Sequence, residues 1–160
     1  MSGYQHNALF RNNGDGTFTE VGFLEGADRV EDGYIVAPVD VNNDGLQDLV
    51  LRNTDPAPEH SYAPVIALEN QLAGNALTVR LQGVDSNRDG FGARVIAHIG
   101  DQKIVREVRS VNGAIQAEPV AYIGLSGANT VDRLEVVWPG GARQELLNVS
   151  AGVIDIIQGQ

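Results

Sequence analysis

The residues best suited to chemistry lie in one nine-residue stretch, residues 40–48, with the sequence DVNNDGLQD. It holds three aspartates and two asparagines around one glycine, and apolar segments flank it on both sides, YIVAPV before it and LVLRN after it. When such a loop curls, oxygens at alternate positions point inward and can surround one cation. Calcium takes roughly six to eight hard oxygen ligands and tolerates irregular geometry. The stretch therefore predicts a Ca2+ site.

The predicted ligands are the side chains of Asp40, Asn42, Asp44 and Asp48 and the backbone carbonyl of Leu46. Gly45 stands where the chain must turn sharply, and a positive φ is expected there. An EF-hand would need an acidic residue where Leu51 stands, and helices in place of the strand-like flanks. The alternative is a metal-free turn rich in Asp and Asn. We favour calcium because three neighbouring aspartates repel one another without a cation.

Two other stretches resemble this one less closely. Residues 85–93, DSNRDGFGA, repeat the opening of the pattern, but Ala93 replaces the last aspartate and Arg88 already supplies a positive charge. We predict a metal-free structural turn there, although the sequence leaves a second ion open. The NNGDG at residues 12–16 is predicted to be a hairpin turn.

Composition narrows the classes of partner. The chain has 160 residues, 42% of them hydrophobic, a net charge of −10 and no cysteine. An acidic surface repels a phosphate backbone, so nucleic acid is not expected as a partner. No apolar run approaches the roughly 20 residues that span a bilayer, so membrane insertion is not expected either. The first residues show no signal-peptide pattern, which fits either a cytoplasmic protein or a piece of a longer exported chain.

The apolar residues alternate as they do in strands. Three segments show the pattern most clearly, and their inward-facing residues are Leu77, Val79 and Leu81; Val95, Ala97 and Ile99; and Leu134, Val136 and Trp138. Glycine-rich turns separate the segments, as at residues 99–103 and 139–141. We predict an all-β fold, an antiparallel sandwich or barrel-like domain. The proline-containing residues 53–63 are predicted to be a loop between two parts of the chain.

The motifs resemble those of known families. The N-terminal segments NALFRNNGDGTFTEV and DGYIVAPVDVNNDGLQDLVLRN resemble FG-GAP (VCBS) repeats, which are calcium-binding β-propeller repeats. SNRDGFGARV and VVWPGG, within residues 75–158, look like the ASPIC/UnbV domain of the cartilage acidic protein-like family. The resemblance implies a single FG-GAP unit over residues 1–60, a connecting strand and loop over 61–74, and an ASPIC/UnbV-like β domain over 75–158.

The resemblance also implies where and how the protein works. One propeller-blade-like unit cannot close a ring, so we expect it to pack on the C-terminal domain, or the chain to be the tail of a longer protein. The family's metal role carries over to Asp40, Asn42, Asp44, Leu46 and Asp48. An extracellular or periplasmic setting is implied, where millimolar calcium fills weak sites.

Residues that could support catalysis are scattered. His6, His60 and His98 have no metal-ligand spacing, and the GLSGA around Ser126 lacks the second glycine of a nucleophile elbow. Four glutamates could form a hydrolytic pair only if strands brought them together: Glu107, Glu118, Glu135 and Glu145. We therefore predict that the protein is not an enzyme.

Three functions remain open from the sequence. The favoured one is a calcium-binding interaction or adhesion module of an exported protein, with a protein or glycan ligand. The second is a carbohydrate-binding module, for which an exposed tyrosine or Trp138 would stack on sugars; packing of Trp138 in the core is the favoured alternative. The third is a structural end-cap of a propeller, whose exposed strand edges would pair two copies into a homodimer.

Overall fold

The computed structural model describes residues 6–29, 32–54, 65–72 and 74–160. These residues form fourteen β-strands and no helix, so the predicted all-β class is confirmed. The strands are β1 (Phe10–Asn12), β2 (Phe18–Glu20), β3 (Asp32–Val39), β4 (Asp48–Thr54), β5 (Val65–Leu68), β6 (Asn75–Gln82), β7 (Arg94–Ile99), β8 (Gln102–Glu107), β9 (Val111–Asn112), β10 (Ile115–Gln116), β11 (Val120–Ser126), β12 (Thr130–Val137), β13 (Arg143–Ser150) and β14 (Gly152–Ile157). Within the described part of the chain there is consequently no helical segment able to cross a bilayer.

The contacts divide the chain into two compact units. The first comprises Met1–Val39 and Asp48–Glu69, as far as these residues are described, and the second comprises Asp40–Gln47 and Asn70–Gln160. Most of the acidic loop thus belongs by its contacts to the C-terminal unit, whereas Asp48 begins β4 in the first. The domain boundary predicted at residue 60 lies outside the described residues.

The C-terminal unit is a sandwich of two main sheets. One sheet has the strand order β13-β12-β7-β8 and is antiparallel throughout; the other has the order β11-β6-β14. In the second sheet β11 is antiparallel to β6, but β14 runs parallel to it, with Gly152 opposite Leu77. The predicted sandwich is therefore confirmed, with one parallel pair in the otherwise antiparallel arrangement.

Alternation along the strands builds the core between these sheets. Leu77, Val79 and Leu81 of β6 meet side chains of β7, β11 and β12 in one buried cluster. The other predicted inward residues join it, with Ile99 partly buried at its margin. Trp138 is 2% exposed and its Nε1 donates to Gln144 Oε1 at 3.2 Å, so the predicted core role of Trp138 is confirmed.

Glycine turns connect the strands where the sequence predicted them. β7 and β8 are joined through Gly100 and Asp101, and Gly100 has a φ of +54°. Between β12 and β13 the Trp138 amide donates to the Ala142 carbonyl, and both glycines of PGG have positive φ. Short loops of this kind need a left-handed residue to match the strand twist.

The first unit contains a hairpin and a three-stranded sheet. β1 pairs with β2, and β3, β4 and β5 form an antiparallel sheet with β4 in the centre. Strand β4 continues through Thr54, so residues 53 and 54 belong to a strand and not to the predicted loop. The remainder of that predicted loop, residues 55–63, lies outside the described residues.

Candidate metal-binding site

The acidic loop is shaped by two residues in the left-handed region. Gly45 has the expected positive φ, at +85°, and Asn43 has a φ of +62°. Glycine adopts this conformation without a steric penalty, and asparagine tolerates it better than most residues. The Asp44-Gly45 pair therefore correctly predicted the positive φ at Gly45, whereas the positive φ at Asn43 was not predicted.

Asp40 holds the loop closed through both of its carboxylate oxygens. Oδ1 accepts from the Asp44 amide at 3.1 Å, and Oδ2 accepts from the Gly45 amide at 2.9 Å. Asn42 Oδ1 accepts from the same Asp44 amide at 3.1 Å. The side-chain oxygens of Asp40 and Asn42, the first and third residues of the predicted calcium loop, therefore both accept from the backbone amide of Asp44.

Asp44 continues this arrangement on the other side of the turn. Its Oδ1 accepts from the Leu46 amide at 2.8 Å, and its Oδ2 accepts from Asn42 Nδ2 at 2.9 Å. The structure thus links three of the predicted side-chain ligands within one loop. Leu46 is half-buried, and Asp48 is only 1% exposed at the start of β4.

This geometry leaves the metal prediction open. Nowhere in the described ranges do three or more His, Asp or Glu side chains form a group that could hold a metal ion. Calcium, however, also accepts amide and backbone carbonyl oxygens, and the loop offers both through Asn42 and Leu46. Each carboxylate oxygen has about two lone-pair sites, so accepting one N–H leaves it able to bind a cation. In donor chemistry the residues fit calcium.

The second acidic stretch, residues 85–93, is closed by its asparagine. Asn87 Oδ1 accepts from the Phe91 amide at 2.7 Å, and Asn87 Nδ2 donates to the Phe91 carbonyl at 2.8 Å. A Cβ on Gly90 would lie 2.7 Å from Leu81 Cβ, so close packing requires glycine there. These contacts describe a structural turn; the absence of a metal from it stays a prediction.

A residue that the sequence analysis missed also anchors this turn. Gln158 Oε1 accepts from three consecutive amides, those of Val84, Asp85 and Ser86, at 2.9–3.1 Å. No short-range signal could reveal this contact, because Gln158 lies more than seventy residues away along the chain. The turn is therefore held from the C-terminal end of the sandwich.

The NNGDG stretch forms the predicted hairpin turn between β1 and β2. The Asn13 amide donates to the Thr17 carbonyl at 3.0 Å, and Asp15 Oδ1 accepts from the Thr17 amide and hydroxyl at 2.9 and 2.6 Å. These bonds, first of all that from the Thr17 side chain, lower the pKa of Asp15 below its ordinary value.

Replacing Thr17 by valine is expected to raise the pKa of Asp15 towards its ordinary value, because the hydroxyl that stabilises the carboxylate is lost. An NMR titration of the Asp15 carboxyl carbon measures the change. A depressed folded-state pKa gives stability above the unfolded-state pKa, and this contribution is lost as the pH falls through the folded-state pKa. An unchanged titration in Thr17→Val would show that the backbone amide alone sets the pKa.

Residues considered for catalysis occupy separate positions. His6 pairs with Asp28, His98 Nε2 lies 3.1 Å from an Arg133 guanidinium nitrogen, and His60 lies outside the described residues. Ser126 ends β11 with a φ of +53° and is exposed. Of the described histidines, His6 and His98 therefore each contact a charged side chain.

The structure does bring two of the four glutamates together. Glu135 and Glu145 are cross-strand partners, but Arg143 pairs with Glu135, and Arg133 Nη1 lies 3.3 Å from Glu145. Of the remaining two, Glu107 pairs with Arg109, and Glu118 accepts from the Tyr122 hydroxyl at 2.6 Å. Burial, followed by Glu118, raises the pKa of Tyr122 well above its ordinary value. On β12 and β13, the ion pairs between Arg133 and Glu145 and between Arg143 and Glu135 form a row of alternating charges.

Comparison with known families agrees with the fold. The family described as FG-GAP-like repeat matches residues 1–51, and the family described as ASPIC and UnbV matches residues 83–158. The chain is an FG-GAP-like repeat followed by an ASPIC/UnbV domain. No curated protein matches the sequence significantly. The acidic loop lies inside the FG-GAP-like match, and β7, β8 and β11–β14 lie inside the ASPIC/UnbV match.

Proposed function

We propose that this FG-GAP and ASPIC/UnbV chain is a calcium-stabilised, non-enzymatic β module that acts outside the cytoplasm in adhesion or protein interaction. One observation carries the proposal: Asp40 fastens the loop through the amides of Asp44 and Gly45, while Asn42 adds its oxygen at the same amide. The loop is thereby curled with its oxygen donors grouped, as a calcium loop requires.

Charge supplies the reason for a cation. Asp40 and Asp44 lie in one turn, and the hydrogen bonds that their carboxylates accept from described residues come from neutral amides. Such bonds do not cancel the repulsion between two like charges. A bound Ca2+ would cancel it, with Asp40, Asn42, Asp44, Leu46 and Asp48 as the ligands. The ion would fix the loop and, through it, the strands at either end.

The proposed location of the protein is inferred from the calcium affinity expected of such a loop. A single loop with few carboxylates would bind calcium weakly, and weak sites are filled at the millimolar calcium of extracellular fluids. The net charge of −10 favours cations at the protein surface in general. We therefore place the protein in an extracellular or periplasmic environment, with a protein or glycan ligand.

Isothermal titration calorimetry with calcium tests the proposal. The wild type is expected to bind one ion, and Asp44→Ala is expected to bind at least about tenfold more weakly, because a charged ligand is lost. The chain offers a matched control in Asp89→Ala, which removes the corresponding aspartate of residues 85–93 and is expected to leave the dissociation constant unchanged.

Two outcomes would contradict the proposal. Negligible heat in the wild type at millimolar calcium would show that the loop binds no ion. Equal weakening by Asp44→Ala and Asp89→Ala would show that calcium acts through general charge and not through a site.

A further inference from the structure

The outer face of β6, opposite the sandwich core, is covered along only part of its length. Leu77, Val79 and Leu81 point into the core, so Ala76, Thr78 and Arg80 point to the other side. Thr78 is nevertheless only 5% exposed, whereas Arg80 is exposed and Val153, the neighbour of Thr78 on β14, is 60% exposed. Another part of the protein therefore covers the outer face of β6 at Thr78 and leaves it exposed at Arg80.

The acidic loop lies at the covered part. A Cβ built on Gly45 would be 3.4 Å from Ala76 Cβ and 3.7 Å from Thr78 Oγ1, which is van der Waals contact. The next residues are held as well, because Asn70 Nδ2 donates to the Gln47 carbonyl at 3.2 Å. These residues all belong to the C-terminal compact unit. The open side of Gly45 thus faces the small side chains of β6, with room for no more than one added carbon before contact.

A neighbouring strand closes the same area. Tyr122 of β11 lies opposite Thr78, is 9% exposed, and donates its hydroxyl to Glu118. The Asp40 carboxylate contributes, after burial and Glu118, to raising the pKa of Tyr122. Asp40 Oδ2 accepts from the Gly45 amide at 2.9 Å, so both ends of the turn lie near the outer face of the β11–β6 pair.

We infer that Ala76 and Thr78 are positioning residues for the oxygens of the acidic loop, forming a floor on which Gly45 rests. The Gly45 amide holds Asp40 Oδ2, so a displacement of Gly45 would remove one of the two hydrogen bonds by which Asp40 closes the loop. For calcium, the inference rests on the proposed function: strand β6 of the C-terminal unit would set the metal affinity of a loop that belongs by sequence to the FG-GAP-like repeat.

Ala76→Leu tests the floor, because the larger side chain would occupy the space of the Gly45 turn. Arg80→Leu is the matched control, since it places leucine on the same strand and face at an exposed position. Hydrogen exchange of the Asp44, Gly45 and Leu46 amides is measured by NMR in chelator, and the calcium dissociation constant by calorimetry. In Ala76→Leu we expect exchange to accelerate and the dissociation constant to rise about tenfold, as overpacking of this size costs on that order. Arg80→Leu should leave the exchange of the three loop amides unchanged.

A merely structural role of Ala76 would lower overall stability without affecting the loop selectively. The urea midpoint of each variant in chelator is therefore measured as well: a merely structural role would lower it while leaving the exchange of the three loop amides unchanged. If that variant fails to fold, Ala76→Val is expected to show the same changes in smaller degree. Unchanged exchange of the three loop amides in a folded Ala76 variant would overturn the inference. Absence of calcium binding in the wild type, with accelerated exchange in the variant, would overturn only the proposed function.

Discussion

Chelating calcium is expected to lower the melting temperature of the wild-type protein by about 3–6 °C. A ligand that binds only the folded state stabilises it by RT ln(1 + [Ca]/Kd), about 1.4 kcal/mol at the tenfold excess over Kd that millimolar calcium gives for a weak site. For a chain of this length, each kcal/mol shifts the melting temperature by about 2–4 °C. Differential scanning calorimetry with millimolar calcium, and then with EDTA, measures the shift.

The control for this experiment uses the loop itself. Asp44→Ala should show a shift of at most about 1–2 °C between calcium and EDTA, because a tenfold weaker site is no more than about half filled at the same calcium concentration. Asp89→Ala should retain the full shift, since residues 85–93 are closed by the hydrogen bonds of Asn87 and Gln158. A wild-type melting temperature that is identical under both conditions would contradict a stabilising calcium site.

Leu134→Ala is expected to destabilise the C-terminal sandwich by about 2–5 kcal/mol, the range for truncating a buried leucine. Leu134 lies on β12, which pairs with strands on both sides, and its side chain is fully buried in the core cluster. Its removal leaves a cavity that neighbouring strands cannot easily close. Urea unfolding followed by the fluorescence of Trp138, which belongs to the same core, measures the loss.

The matched control is another leucine on the adjacent strand. Leu147 of β13 is 63% exposed, so Leu147→Ala removes the same atoms without leaving a cavity. We expect a change within about 0.5 kcal/mol, as for most surface substitutions. Equal destabilisation by the two substitutions would mean that the core does not lie between the β6 and β12 sheets.

Alternation made the fold class predictable, because it reports directly on which residues are buried. Leu77, Val79 and Leu81 alternate with polar residues, and a strand places such residues on one face. The glycine turns were predictable for a similar local reason, as a positive φ at Gly45 or Gly100 needs a residue without a Cβ. Strand pairing was harder to predict from the sequence, because nothing in residues 152–157 indicates that they run parallel to β6.

Spacing alone predicted the ligands, and Asp40, Asn42 and Asp44 do lie in one hydrogen-bonded turn; their role as metal ligands stays a prediction. Spacing could not reveal the surface under that turn. Residues 76 and 78 carry no functional signal in the sequence, since alanine and threonine are ordinary strand residues. The ion pairs between β12 and β13 were not predicted either, because Glu135 and Arg143 meet only through the register of the two strands.

By itself the sequence determined the all-β class, the positions of the turns, the core residues and the acidic loop. These features depend on interactions between near neighbours along the chain: side-chain alternation, backbone conformation at glycine, and Asp and Asn bonding to amides two to five residues away. Only the tertiary structure decided the parallel pairing of β14, the anchoring of residues 84–86 by Gln158, and the placement of Gly45 beside Ala76 and Thr78. Those contacts join residues that are far apart in sequence, and their geometry is fixed by how the strands pack and not by local preference.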